Sequence, residues 1–155
     1  MAAVYRQVLP GGTVARLANR RLLLVDYHID TLELLKVAFE VEGATVVAVT
    51  SASDALTTLD REHFHGLLCE IVLPDLNGWD LLRRVRSKTA QKQSNIPAIA
   101  VTGLVTQTTQ QHTQAAGYTG YFPKPVNLDE LVAAMVALTQ SSVSYQYQTL
   151  TAAAS

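Results

Sequence analysis

The stretch Leu67 to Gly78, Leu-Leu-Cys-Glu-Ile-Val-Leu-Pro-Asp-Leu-Asn-Gly, constrains this chain most. An apolar run of strand type ends on one carboxylate, Glu70. A short loop carrying Pro74 and Asp75 follows, and Asn77-Gly78 leads into an amphipathic helical pattern. In a parallel sheet flanked by helices, the carboxyl end of a strand is where a ligand or reaction site is built. Glu70 therefore marks the edge at which a site is expected.

The rest of the chain repeats this strand-then-helix grammar. Arg21 to Val25 shows no alternation and predicts a strand buried on both faces, ending at Asp26. Asp30 with Glu33 predicts a capping box for a helix that buries Leu32, Leu35, Val37, Ala38, Phe39 and Val41 and stops at Gly43. Thr45 to Val49 is a second strand, and Ser51 or Ser53 caps a helix running to about Glu62. Gly66 to Glu70 is the third strand. Trp79, Leu81, Leu82 and Val85 mark the core face of the next helix, with Arg83, Arg84 and Arg86 toward solvent. A polar loop over 88–95 precedes a fourth strand, Pro97 to Val101. The Thr and Gln content of 106–116 makes the weakest helix pattern, although Gly117 is a good stop signal. Gly120 to Phe122 is a short fifth strand before Lys124-Pro125, and Asp129 to Leu138 is the last helix.

Five such alternations predict an α/β fold of three layers around a doubly wound, five-stranded parallel sheet in flavodoxin-like order 2-1-3-4-5. The domain is expected over 20–140. Residues 1–19 contain no acid and are broken by Pro10-Gly11-Gly12, so they read as an extension, either an arm or a segment docked through Val8, Leu9, Val14 and Leu17. The Ser-, Thr-, Gln- and Ala-rich residues 141–155 are expected as a disordered tail.

Composition narrows the function. A formal net charge of −1 with only 16% charged residues supplies no field for nucleic acid or acidic lipid. The lone Cys69 rules out an internal disulfide framework and, within an apolar strand, reads as buried and inert. No apolar run reaches the ~18 residues of a membrane span, and no signal-peptide pattern opens the chain, so a cytoplasmic location is expected. His28, His63, His65 and His112 lack metal-ligand spacing and read as surface residues.

At the strand ends the sequence places Asp26 and Tyr27, Glu70, Thr102, and Lys124. Together with Leu-Leu-Val-Asp26, Glu70-Ile-Val-Leu-Pro74-Asp-Leu-Asn-Gly78, Ala100-Val-Thr102-Gly and Tyr121-Phe-Pro-Lys124-Pro125, the chain from about Arg21 to Leu138 resembles the CheY-like receiver domain of two-component response regulators. The resemblance implies that Asp26 matches the first of two acids that hold Mg²⁺, Thr102 the hydroxyl and Lys124 the lysine that contact a phosphoryl group, and Tyr121 an aromatic switch. It also makes Lys124-Pro125 a candidate cis peptide. Two positions depart from the pattern: Tyr27 stands where the second acid belongs, and Glu70 stands where the phosphoacceptor aspartate belongs.

Both departures act on chemistry. Mg²⁺ requires near-octahedral oxygen coordination with carboxylate charge. A phenol with a pKa near ~10 removes one charge and adds a ring. Asp26 and Glu70 remain only weak metal candidates. Glutamate is one methylene longer than aspartate, and a 1 Å misplacement can cost ~10²-fold in rate. The expectation is a non-enzymatic pseudo-receiver without cofactor, acting through a protein partner such as a histidine kinase or downstream regulator. Glu70 then pairs with Lys124 and with Thr102. Self-association through the fourth helix, fifth strand and fifth helix is a further expectation from the resemblance. One alternative is a phosphorelay receiver that accepts a phosphoryl group with Mg²⁺, Asp75 assisting. Another is a small-molecule sensor using Tyr27, His28 and the uncharged 103–111 loop.

Overall fold

The computed structural model describes residues 7–8, 14–87 and 93–140. A two-residue pair, β1 (Gln7–Val8) antiparallel to β2 (Val14–Ala15), precedes the main sheet. That sheet contains β3 (Arg21–Val25), β4 (Thr45–Val49), β5 (Gly66–Cys69), β6 (Ala98–Thr102) and β7 (Gly120–Pro123). All of its pairings are parallel, in the order β4-β3-β5-β6-β7, which is the expected 2-1-3-4-5. The helices are α1 (Ile29–Val41), α2 (Ala52–Arg61), α3 (Gly78–Ser87), α4 (Gln107–Ala116) and α5 (Leu128–Gln140).

The strands lack alternation in polarity because both faces of the sheet are covered. Leu23 and Val25 of β3, Leu67 and Cys69 of β5, and Ala98 and Ala100 of β6 point into one core with α2, α3 and α4. Their neighbours Leu22, Leu24, Leu68, Ile99 and Val101 point into the other, with α1 and α5. The period of two assigns each side chain to its layer.

Several local expectations need correction. Asp30 does not cap α1. The cap position belongs to His28, which makes no side-chain capping bond, and Asp30 lies in the first turn. Only Leu32, Leu35 and Phe39 of α1 are buried. Val37 and Val41 face solvent. Ser51 caps α2 by accepting from the Asp54 N–H, and Asp75 extends that cap by accepting from Ala52 N (3.0 Å) and Ser53 N (2.9 Å). These backbone N–H groups, Ser53 first, hold the Asp75 carboxyl below its usual pKa. Arg86 is not a solvated charge. Its guanidinium donates to the Gly117 and Ser94 carbonyls and ties α3 to the end of α4, and desolvation lowers its pKa. His65 is likewise no free surface histidine, since its Nδ1 accepts from Arg21 N at 2.9 Å.

The segment before β3 packs on the domain. Leu17 is fully buried among the α1 and α5 side chains, Leu17 N donates to Glu42 O, and Arg20 Nε donates to Thr139 O. Of the residues expected to dock, Leu17 does so. Leu9 and the tail 141–155 lie outside the described residues, as does 88–92 of the polar loop. Among the described residues, no helix is long and apolar enough to cross a membrane.

Candidate functional site

The chain leaves β3 toward β4 on one side of the sheet and reaches β5 on the other, so β3 and β5 flank the point where the winding reverses. Open sheets place their crevice there, at the carboxyl ends. Val25 and Cys69 are paired in register, which sets Asp26 and Glu70 side by side. Glu70 N donates to Val25 O at 2.8 Å. Thr102 ends β6, and the Lys124 N–H donates to the Thr102 carbonyl at 2.9 Å, bringing Lys124 to the same edge.

Asp26 and Glu70 are both almost wholly buried. The Lys124 ammonium lies between them, with Nζ 2.8 Å from Asp26 Oδ2 and 2.7 Å from Glu70 Oε2. Burial alone lowers the Lys124 pKa. The hydrogen bonds to Asp26 and Glu70 oppose it and leave the value raised. The second oxygen of each carboxylate is also used. Glu70 Oε1 accepts from Ile71 N (2.7 Å) and Val72 N (3.1 Å). Asp26 Oδ1 accepts from His28 N (2.9 Å), and His28 Nδ1 lies 3.3 Å away. Buried carboxylates persist when their oxygens are hydrogen-bonded or paired, and each oxygen of both residues has such a partner.

The expected contact between Glu70 and Thr102 is not formed. Among the described residues, the Thr102 hydroxyl accepts from Leu104 N at 3.2 Å instead. Tyr27 does not fill the crevice. The residue is 43% exposed, and its ring lies against His28 at a tilt of 37° with centroids 3.9 Å apart. Tyr121 is buried in the core, and its hydroxyl donates to the Leu104 carbonyl in the loop before α4. Lys124-Pro125 is cis. Asp75 lies at the start of α2, held by two backbone N–H groups.

The loop that presents Glu70 is fixed from behind. A side chain at Gly78 would bring its first carbon to 2.6 Å from Glu70 O and 2.9 Å from Ile71 Cα, so the return of the chain into α3 requires glycine. Tyr118, fully buried, donates its hydroxyl to the Gly78 carbonyl at 2.7 Å. Cys69 is inert as expected, since burial pushes its thiol pKa up to about 12.

Sequence reasoning offered His28 and the 103–111 loop only for a small ligand, and missed that the His28, Ile71 and Val72 amides hold the two carboxylates and that the Leu104 carbonyl receives Tyr121. His28 had a signal, its place directly after the strand end. The others act through backbone groups, which leave no trace in residue type.

The profile of the family described as response regulator receiver domain matches residues 22–136. A 14.6 kDa protein from the sodA1 3' region of Leptolyngbya boryana is 35% identical over 116 residues, covering 75% of this chain and 87% of that one. The transcriptional regulatory protein CpxR homolog of Haemophilus influenzae is 32% identical over 124 residues, covering 80% of this chain but only 52% of the relative. The chain thus spans about half the length of that regulator. A CheY-like receiver domain protein from Methanospirillum hungatei superposes with a TM-score of 0.69 at 29% identity, over 75% of this chain and 90% of that one. With this fold, this edge constellation and these matches, the chain belongs to the response regulator receiver domain family of two-component signalling.

Proposed function

We propose that this chain is a pseudo-receiver: it signals through protein contacts from one fixed, active-like conformation and does not pass through a phosphorylated state. The observation that carries this reading is the Lys124 ammonium bonded to both Glu70 and Asp26. A carboxylate one methylene longer than aspartate supplies, permanently, a negative charge that reaches the lysine. The buried Tyr121, bonded to the Leu104 carbonyl, supports the active-like side of the reading, because it ties β7 to the loop that starts α4.

The donor set does not suit Mg²⁺. Two carboxylates against one lysine leave a single net negative charge. Both carboxylates are already engaged, and Tyr27 offers neither charge nor an inward oxygen. Asp75, the assisting acid of the phosphorelay alternative, is committed to α2. Without a metal, charge on a transferring phosphoryl group lacks its main stabiliser.

The partner is a protein, a kinase or a downstream regulator. The contact face is α4, β7 and α5, with self-association as one use of it. On this face α4 and β7 contain no Asp, Glu, Lys or Arg and α5 carries only Asp129 and Glu130 in its first turn, so it steers partners weakly and binds through shape and apolar area. Calorimetric titration with Mg²⁺ tests the reading. No saturable heat is expected at millimolar concentrations in the wild type, and a saturating isotherm there would overturn it.

A further inference from the structure

The main sheet has two edges, β4 and β7. β7 is blunted: it is buried from Gly120 to Phe122 and ends on Pro123, which has no N–H to offer a further strand. β4 is not. Its residues Thr45–Val49 are matched one for one with β3, so no bulge twists the edge away. They include no charge and no proline, and Thr45 and Ala48 are exposed. Among the described residues, no strand lies beyond β4. An exposed, uncharged edge of this kind is a template for another strand.

The hydrogen bonds to β3 show which groups this edge presents. Thr45 N donates to Arg20 O at 2.9 Å, and Val49 O accepts from Asp26 N at 3.2 Å. Backbone groups of successive strand residues point to opposite sides. Thr45, Val47 and Val49 therefore turn toward β3, and Val46 and Ala48 turn outward. Before them the series stops, because Ala44 N already donates to Phe39 O.

We propose that β4 pairs antiparallel with β4 of a second copy about a dyad at Val47, joining two sheets into one. In this register Val46 of each copy faces Ala48 of the other, so every outward N–H and C=O of the strand is used. A dyad at Val46 would call on Ala44, whose N–H is spent, and one at Ala48 would call on Thr50, outside the strand. Thr45 faces Val49 of the other copy and Val47 faces its own counterpart, pairs of β-branched side chains that suit a sheet. The antiparallel sense also sets the start of β4, beside the Arg16–Glu42 pair, against the uncharged Thr50-Ser51-Ala52-Ser53 of the other copy. No like charges meet there. A second β4 is already extended, so pairing with it costs less ordering than pairing with a flexible peptide. The contact lies at the edge opposite β7, and it does not compete with the α4, β7 and α5 face.

Sedimentation equilibrium of the full chain tests the pairing. The wild type is expected to dimerise, and Ala48→Pro to raise the dissociation constant at least about tenfold by removing one outward N–H from each copy. That N–H makes no bond to β3, so the far-ultraviolet spectrum of the variant is expected to match the wild type. Ala48→Lys changes only an exposed side chain and sets like charges near the dyad, and it is expected to weaken the dimer too. Amide exchange reads the same contact by residue: Val46 and Ala48 slow as protein concentration rises, whereas Val47 and Val49 do not. A wild type that stays monomeric at millimolar concentration would overturn the proposal. So would a dimer that neither variant weakens, or one in which the Val46 and Ala48 amides exchange no slower, since self-association would then use another face.

Discussion

Lys124 shows how one residue can hold a site together. Two buried negative charges next to each other are costly unless a cation offsets them, and Lys124 is that cation. Lys124→Met removes it and leaves Asp26 facing Glu70. The expected loss is about 2 kcal/mol, below the cost for fully buried pairs because Lys124 keeps some solvent contact, read as a lower urea midpoint. If E70Q is added to K124M, the two changes are expected not to add, with a coupling of about 1 kcal/mol or more; strict additivity would mean that the pair is not energetically linked. Sequence alone offers Glu70 and Lys124 as partners through the resemblance. It does not reveal that Asp26 shares the same ammonium, since that depends on the register of β3 against β5.

His65 carries a pH dependence of known sign. Its Nδ1 accepts the Arg21 N–H, and desolvation first, then Arg20, His63 and Arg21, lower its pKa from 6.5. The unfolded chain therefore binds a proton more readily than the folded one. Stability from this group is fully present above about pH 6.5 and declines as pH falls through the lowered folded value. Urea midpoints at several pH values should show this decline in the wild type and a shallower one in His65→Asn, which keeps an acceptor and cannot titrate.

At the scale of elements, the segment before β3 does more than precede the domain. The family match begins at residue 22, yet Leu17 is fully buried between α1 and α5. Leu17→Ala is expected to cost about 3 kcal/mol, as for other core leucines; a loss below about 0.5 kcal/mol would show that the segment only rests on the surface. The weak pattern of α4 has a similar explanation. Its inner face is polar: Trp79 Nε1 donates to Thr113 Oγ1 at 2.9 Å, and Thr113 Oγ1 donates to the Thr109 carbonyl at 2.7 Å. Thr113 is fully buried, so α4 is attached to α3 partly by hydrogen bonds that apolar periodicity cannot detect. Trp79→Phe removes one of them and should lower stability by about 1 kcal/mol, with faster amide exchange across α4.

Over the whole molecule, the legible features were those fixed by burial on both faces. The continuous apolar runs of β3, β5 and β6, each ending near a polar residue, marked a sheet covered on both faces and its functional edge, and the five strand–helix alternations predicted its order. What stayed hidden depended on distant partners. Arg86 has the spacing of a solvent residue, but it meets carbonyls 8 and 31 positions away. Val37 and Val41 have the pattern of core residues but face outward, because α1 needs only one side for the sheet. Tyr27, read from sequence as a lost charge and an added ring, is exposed beside His28.

In the proposed pseudo-receiver, the pairing of Lys124 with Glu70 and Asp26 stands in place of a phosphorylation switch. The most direct test is the intact mass of the full chain after incubation with Mg²⁺ and acetyl phosphate. The predicted spectrum is unchanged for the wild type. A stoichiometric phosphoryl adduct that disappears in Glu70→Gln would contradict the central claim.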